Sequence, residues 1–182
     1  MLSDSLFSPF DVLRDYEVRS LNHVAGVPEQ IDTPGLWRGI GYRIGNHQLA
    51  SSITDIAELL TVPVLTPVPG AQSWLLGVAN VRGTLLPVVD LKQFLEGERT
   101  VLHENMRALV VKQPGGNVAV LIDELYGQRN FVEGQRVLLE EVLEGRYVSF
   151  ITDAFQWAGT VWKVFNLGVL ARTVEFRQAA VA

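Results

Sequence analysis

GVANVRGTLLPVVDLKQFL, residues Gly77–Leu95, is the stretch whose reading decides the fold. An apolar strand-forming run enters a turn at Asn80-Val81-Arg82-Gly83, a second apolar run follows from Thr84 to Val89, and Asp90 closes it. Two such runs joined by a short glycine-containing turn read as a pair of buried strands. An arginine at that turn is limited in its rotation by its neighbours and aims its guanidinium outward, which suits a fixed contact with another protein. Nothing in the stretch resembles a reaction centre, so the chain reads first as a binding module.

The second half of the chain echoes this stretch. GTLLPVVDLKQFL, Gly83 to Leu95, lines up without a gap on GTVWKVFNLGVLA, Gly159 to Ala171, with glycine, threonine, Val88/Val164 and Leu91/Leu167 shared and Asp90 met by Asn166. Upstream, Leu49 to Ile56 matches Val118 to Leu125 in apolar pattern at a slightly different offset. Two matches in the same order argue for a duplicated β unit. Two small barrels side by side follow, each too small to be stable alone, sharing one apolar seam.

The remaining elements fall around this duplication. From Trp37 the hydrophobic period becomes two, with Ile40, Tyr42 and Ile44 on one face and Gly39, Gly41 and Arg43 on the other, a half-buried strand. Gly45-Asn46-His47 is a hairpin turn and Gln48 to Ser52 the return strand. Ile53, Ile56, Leu59 and Leu60 recur at helix-like intervals, with short strands as the alternative. Pro63, Pro67 and Pro69 make Val62 to Gly70 an extended rim segment, because proline cannot donate to a sheet ladder. Trp74 to Val81 reads as a short helix or strand, and Leu91 to Leu95 as a helical turn or two ended by Gly97. Ala108 to Val111 and Val118 to Ile122, separated by a Pro-Gly-Gly-Asn turn signal, are core strands. Glu133 to Glu144 reads as a solvated loop or short helix. Tyr147 to Ile151 and Thr160 to Phe165 are the last strands, and Asn166 to Glu175 a closing helix.

Residues 1 to about 36 form an appendage. Ser8 and Pro9 are an N-cap and a first helical position, and Phe10, Leu13, Tyr16, Leu21 and Val24 recur at about helical spacing. Such a helix either packs on the body of its own protein or docks on a partner. Gly26, Pro28, Pro34 and Gly35 mark a linker.

Composition bounds the function. A chain of 182 residues holds one domain, or two small lobes sharing a core. Fifteen Lys and Arg against twenty Asp and Glu give a net charge of -5, so no broad positive field draws phosphate backbones or anionic lipid. Without cysteine there is neither a disulfide framework nor a thiolate metal site. The acidic start MLSDSLFSPFD does not read as a signal peptide and no apolar run is long enough to cross a bilayer, so the expectation is a soluble, cytoplasmic protein.

Candidate chemistry is sparse. His23, His47 and His103 are scattered, without a second ligand at helical spacing, and read as surface residues. No phosphate-cradling glycine loop or nucleophile elbow is present. Asp90, Asp123 and Glu124 each follow an apolar strand, where acidic residues cap the next turn. Trp37, Trp74, Trp157 and Trp162 read as core or interface packing. A small-barrel nucleic-acid binder is the rival reading, opposed by the acidic charge and by tryptophans that lack interleaved Lys and Arg. A hydrolase joining Asp90 or Asp123 to a histidine ranks third.

From Trp37 to Arg172 the chain resembles the CheW-like family of chemosensory coupling proteins. The resemblance is carried by PVPGAQSWLLGVANVRGTLLPVVDL, Pro67 to Leu91, with its proline-glycine rim, G-x-x-N-x-R-G turn and strand ending in Asp-Leu, and by VAVLIDELYG, Val118 to Gly127. It implies a mainly β fold with two SH3-like five-stranded β-barrel lobes around a common core, the CheW-like domain spanning 37–178 after an extension at 1–36. It also implies no enzymatic activity, no cofactor and no metal. The implied partners are the regulatory domain of a CheA-type histidine kinase and the cytoplasmic tip of a methyl-accepting chemoreceptor. The family's partner contacts fall on Ile56, Glu58, Gly77 and Arg82. The long extension and FITDAFQWAGT at the second-half turn make the chain similar to the coupling proteins of type IV pilus twitching systems.

Overall fold

The computed structural model of the chain describes residues 8–22, 35–113, 115–139 and 145–179. They fall in two units, Met1–Pro34 and Gly35–Ala182. The first carries helix α1, Pro9–Asn22. Its start is capped as the sequence predicts: the Ser8 hydroxyl accepts from the Phe10 N–H at 3.3 Å, and proline occupies the first helical position. Phe10, Leu13 and Tyr16 are exposed along it, and Asp15 pairs with Arg19 one turn on at 2.7 Å. Val24, His23 and the linker residues Gly26, Pro28 and Pro34 lie outside the described residues.

The second unit is built from ten strands. These are β1 (Leu36–Ile44), β2 (His47–Ser52), β3 (Ile56–Thr61), β4 (Leu75–Val81), β5 (Thr84–Val89), β6 (Arg107–Val111), β7 (Val118–Ile122), β8 (Glu124–Val132), β9 (Ile151–Trp157) and β10 (Thr160–Phe165). One five-stranded sheet has the order β8-β1-β2-β10-β9 and the other β3-β6-β7-β5-β4. Each sheet is open in its hydrogen-bonding order, so the lobes are SH3-like without being closed cylinders. Helices α2 (Leu91–Glu96), α3 (Leu167–Arg172) and α4 (Val174–Arg177) complete the body.

The duplication read from the sequence is present in the register. Gly41 faces Ala50 as Val110 faces Ala119, and Val164 runs parallel to Ala50 as Val88 does to Ala119. Each half gives its first hairpin to the sheet completed by the other half, so neither half contains a complete sheet. The two lobes therefore fold together. Their seam is a core of Tyr42, Leu49, Leu91, Leu109, Val120, Phe165 and Leu167, among others, drawn from both sheets and from α2 and α3. Inside that seam the Tyr42 hydroxyl donates to Ser51 Oγ at 2.7 Å, and Ser51 donates onward to the Phe165 carbonyl at 2.6 Å. Both buried hydroxyls are thereby satisfied.

The structure differs from the sequence reading in five places. Ile53–Leu60 is a turn followed by strand β3, where a bulge sets Ile56 against Val111 in the shared core and turns Glu58 and Leu60 to the opposite face, against Val110 and Ala108. Tyr147–Phe150 is the end of a 3-10 helix, Gly145–Phe150, that drives Tyr147 and Phe150 into the core, and the strand begins only at Ile151. β8 gives no clean strand signal, because Gly127 and Arg129 occupy half-buried positions between Leu125 and Phe131 and a bulge interrupts its pairing with β1. The closing helix breaks at Thr173 into α3 and α4. The β1 strand is buried on both faces, because Gly39 and Gly41 leave room for Trp37 and Trp162 inside the lobe.

Candidate docking site

The β4–β5 hairpin closes on the pair Val81–Thr84, leaving Arg82 and Gly83 as its two turn residues. Their φ angles of 51° and 84° make a left-handed turn that matches the twist of the flanking strands. Glycine or asparagine takes the first of these positions at little cost, whereas a side chain such as arginine there costs about 1–2 kcal/mol. The turn is braced by Asn80, whose Oδ1 accepts from the Gly83 N–H at 2.9 Å.

Arg82 is 78% exposed along its side chain, and its guanidinium donates to Glu58 Oε2 at 2.8 Å. Glu58 stands on β3 at one edge of the sheet, and Arg82 follows β4 at the other. An exposed pair of this kind adds about 0–1 kcal/mol to stability, so folding alone gives little reason for it. Leu59, next to Glu58 on β3, and Leu85, on β5, are exposed large apolar residues of the same sheet. The arrangement offers a surface cation held against an adjacent carboxylate.

The other two residues assigned by resemblance have different surroundings. Ile56 is 9% exposed and belongs to the shared core. Gly77 has φ 147°, and a Cβ there would meet the Thr66 carbonyl oxygen at 2.5 Å. The close backbone approach at Gly77 is that of the chain's own proline-rich rim, bridged to β4 by Thr66 N–H to Val78 O at 2.8 Å and Val78 N–H to Thr66 O at 2.9 Å. The structure thus brings Glu58 and Arg82 together and places Ile56 and Gly77 beneath or beside them in the same sheet. The Asn80 brace was not recognised from sequence, although an asparagine two residues before Arg82 is its signal.

Elsewhere, an apolar groove of about 410 Å³ lies between the rim and α4, lined by Val68, Trp74, Leu75, Val89 and Phe176. Asp90, 1% exposed, accepts from the Gln93 N–H at 3.1 Å, the Thr100 N–H at 2.8 Å and the Thr100 hydroxyl at 2.7 Å. Asp123 accepts from the Gly45 N–H at 2.6 Å. Both carboxylates are used by their own chain as caps. His47 is tucked in rather than on the surface: it lies 3.4 Å from Glu96 and its ring, tilted by 37°, is centred 4.1 Å from that of Tyr147. Trp74 stacks on Phe176 and Trp37 on Phe131, while Trp157 is 44% exposed beside the Arg129 guanidinium. Among the described residues no group of three or more His, Cys, Asp or Glu is placed to hold a metal, and no helix is long and apolar enough to cross a membrane.

The sequence model of the CheW-like domain matches residues 38–175. The chain belongs to the CheW-like family. Among its relatives, Protein PilI of Pseudomonas aeruginosa is 34% identical over 174 residues, covering 96% of this chain and 97% of that protein. This match takes in sequence ahead of Arg38, which the CheW-like domain itself leaves out. Protein FrzA of Myxococcus xanthus is 35% identical over 89 residues, 48% of this chain and 55% of FrzA. The scaffolding protein TtCheW of Thermoanaerobacter tengcongensis shares the fold, with a TM-score of 0.66 at 17% identity over 76% of this chain and 94% of that one.

Proposed function

We propose that the chain is a non-enzymatic adaptor that couples transmembrane chemoreceptors to a CheA-type histidine kinase, in an array that controls type IV pilus twitching. The observation that carries this reading is the Arg82 turn: an exposed guanidinium held in a costly backbone conformation and paired only at the surface. The near full-length likeness to PilI supports the pilus pathway over a flagellar one.

In this reading Arg82 and Glu58 touch the partner, while Ile56 and Gly77 shape the strands that present them. The lobe carrying Arg82 meets the kinase regulatory domain, the other lobe meets the next member of the array, and the receptor tip lies across the groove between lobes. Each contact need bury only about 800 Å² per partner, because simultaneous engagement raises avidity by roughly 10²–10⁴. The protein works in the cytoplasm and is held at the inner membrane by its receptors. Co-sedimentation of the full chain with the kinase and receptor fragments encoded beside it tests the reading. Retention of both partners is expected, and retention of neither, or a salt-sensitive shift of single-stranded DNA instead, contradicts it.

A further inference from the structure

We infer that Asn80 is a positioning residue for the docking arginine, and that the partner group received there is a carboxylate. The inference rests on the adaptor reading and deepens it.

The duplicated fold supplies an internal control. The β9–β10 hairpin makes the same turn at Ala158 and Gly159, with φ angles of 50° and 78°. Gln156 stands there in the place of Asn80, and among the described residues no side chain accepts from the Gly159 N–H. The turn therefore forms without a brace. What differs is the load: Ala158 presents a methyl group, whereas Arg82 presents a long cation to solvent.

Asn80 fixes the backbone beneath Arg82 through the Gly83 N–H, and Glu58 holds the head of the side chain through one terminal nitrogen, Nη1. A guanidinium fixed at both ends loses little further freedom on binding. Its planar fork has donors besides Nη1, in the geometry that a carboxylate accepts with two oxygens. A side-chain carboxylate of the partner is the group that fits. Asn80 touches none of this directly, being tied to the turn.

The test uses the full chain and the partner retained in the co-sedimentation experiment, titrated calorimetrically against wild type, Asn80→Ala, Asn80→Asp, Arg82→Ala and the Asn80→Ala/Arg82→Ala double variant. Amide exchange at Gly83 and the thermal midpoint are followed in each. Asn80→Ala is expected to speed Gly83 exchange, leave the midpoint within a few degrees and weaken binding about five- to ten-fold. Asn80→Asp, which keeps the acceptor oxygen, restores both exchange and affinity. The double variant binds no more weakly than Arg82→Ala. Wild-type affinity in Asn80→Ala with weakened Arg82→Ala overturns the positioning role and leaves the adaptor reading intact. Loss of folding in Asn80→Ala, or unchanged Gly83 exchange, overturns it as well. Wild-type affinity in Arg82→Ala removes the docking reading itself. Amidation of the partner's acidic side chains that leaves affinity unchanged overturns the carboxylate.

Discussion

The two lobes share one strand order and one register, yet they are filled in opposite ways. In the lobe of β8, β1, β2, β10 and β9, Trp162, Phe155 and Phe131 occupy the interior and Gly41 lies flat beneath them. In the lobe of β3, β6, β7, β5 and β4, the positions that match Trp162, Phe155 and Gly41 hold Leu86, Ala79 and Val110. Ala50 and Ala119 are the same in both. The volume needed inside a small lobe is constant, but which strand supplies it is free. The hairpin tips diverge further. One ends in Ala158 beside Trp157 and the other in Arg82 tied to Glu58, so the lobes are alike as scaffolds and unlike as surfaces.

The largest effect expected is at the aromatic lobe's glycine floor. A Cβ at Gly41 would meet Arg129 Cγ and Trp162 Cζ3 at 2.8 Å, so Gly41→Val, which copies the aliphatic lobe, should cost at least about 3 kcal/mol. Trp162→Leu alone should cost about 3 kcal/mol through the cavity it leaves. The double variant, which transplants the aliphatic filling, should recover roughly 1–3 kcal/mol of the sum in urea titrations. Full additivity would break the idea that the lobes trade volume between strands.

The helix caps give the next contrast. Asp90 accepts three hydrogen bonds and ties the loop at Thr100 to α2, whereas Asn166 accepts one, from Val169 N–H at 2.9 Å. Asp90→Ala should therefore cost about 2–3 kcal/mol and Asn166→Ala about 1 kcal/mol. Equal losses would mean that the Thr100 bonds add nothing.

Alkaline pH separates the lobes in another way. Tyr42 is raised above the usual tyrosine range by burial first, with its Ser51 hydrogen bond opposing and the Asp55 charge adding. Tyr147 is raised by burial and then by its hydrogen bond to Glu96. The aliphatic lobe has Val111 where Tyr42 stands. The folded state holds these protons after the unfolded chain has released them, so their contribution is complete below about pH 10 and declines as pH rises past it. The urea midpoint should hold up to about pH 10 and fall above it, and Tyr42→Phe should flatten that fall. A flat profile in wild type contradicts the burial argument.

The smallest effects are at the tips. Arg82→Gly and Ala158→Gly each relieve a left-handed side chain and should stabilise the fold by about 0.5–1 kcal/mol in thermal melts. Only Arg82→Gly should lose partner binding, the usual cost of optimising a functional position. A destabilised Arg82→Gly would mean that the Glu58 pair matters more to folding than to docking.

How much of this was legible in the sequence follows from the physics of each region. The hairpins with strong turn signals and doubly apolar strands, β4–β5 and β6–β7, announced themselves, as did the repeat that joins Asp90 to Asn166. The helix-like spacing of Ile53, Ile56, Leu59 and Leu60 concealed β3, because a six-residue strand holds too few positions to distinguish the two periods. β8 is hidden because Gly127 and Arg129 interrupt its apolar alternation. Which lobe each hairpin joins is decided by non-local pairing that no local pattern encodes. At the candidate site, the Arg82 turn was readable, but its pairing with Glu58 across the sheet was not, since twenty-four residues separate them. Gly77 is among the partner contacts that the resemblance implies, and the space beside it is taken by the chain's own rim at Thr66.

The most direct test of the account is the affinity of the full chain for its kinase or receptor partner with and without the Arg82 side chain. Arg82→Ala should weaken binding by roughly ten- to hundred-fold, the loss of a charge-assisted contact, with the melting curve unmoved. Unchanged affinity, or a variant that no longer folds, would contradict it.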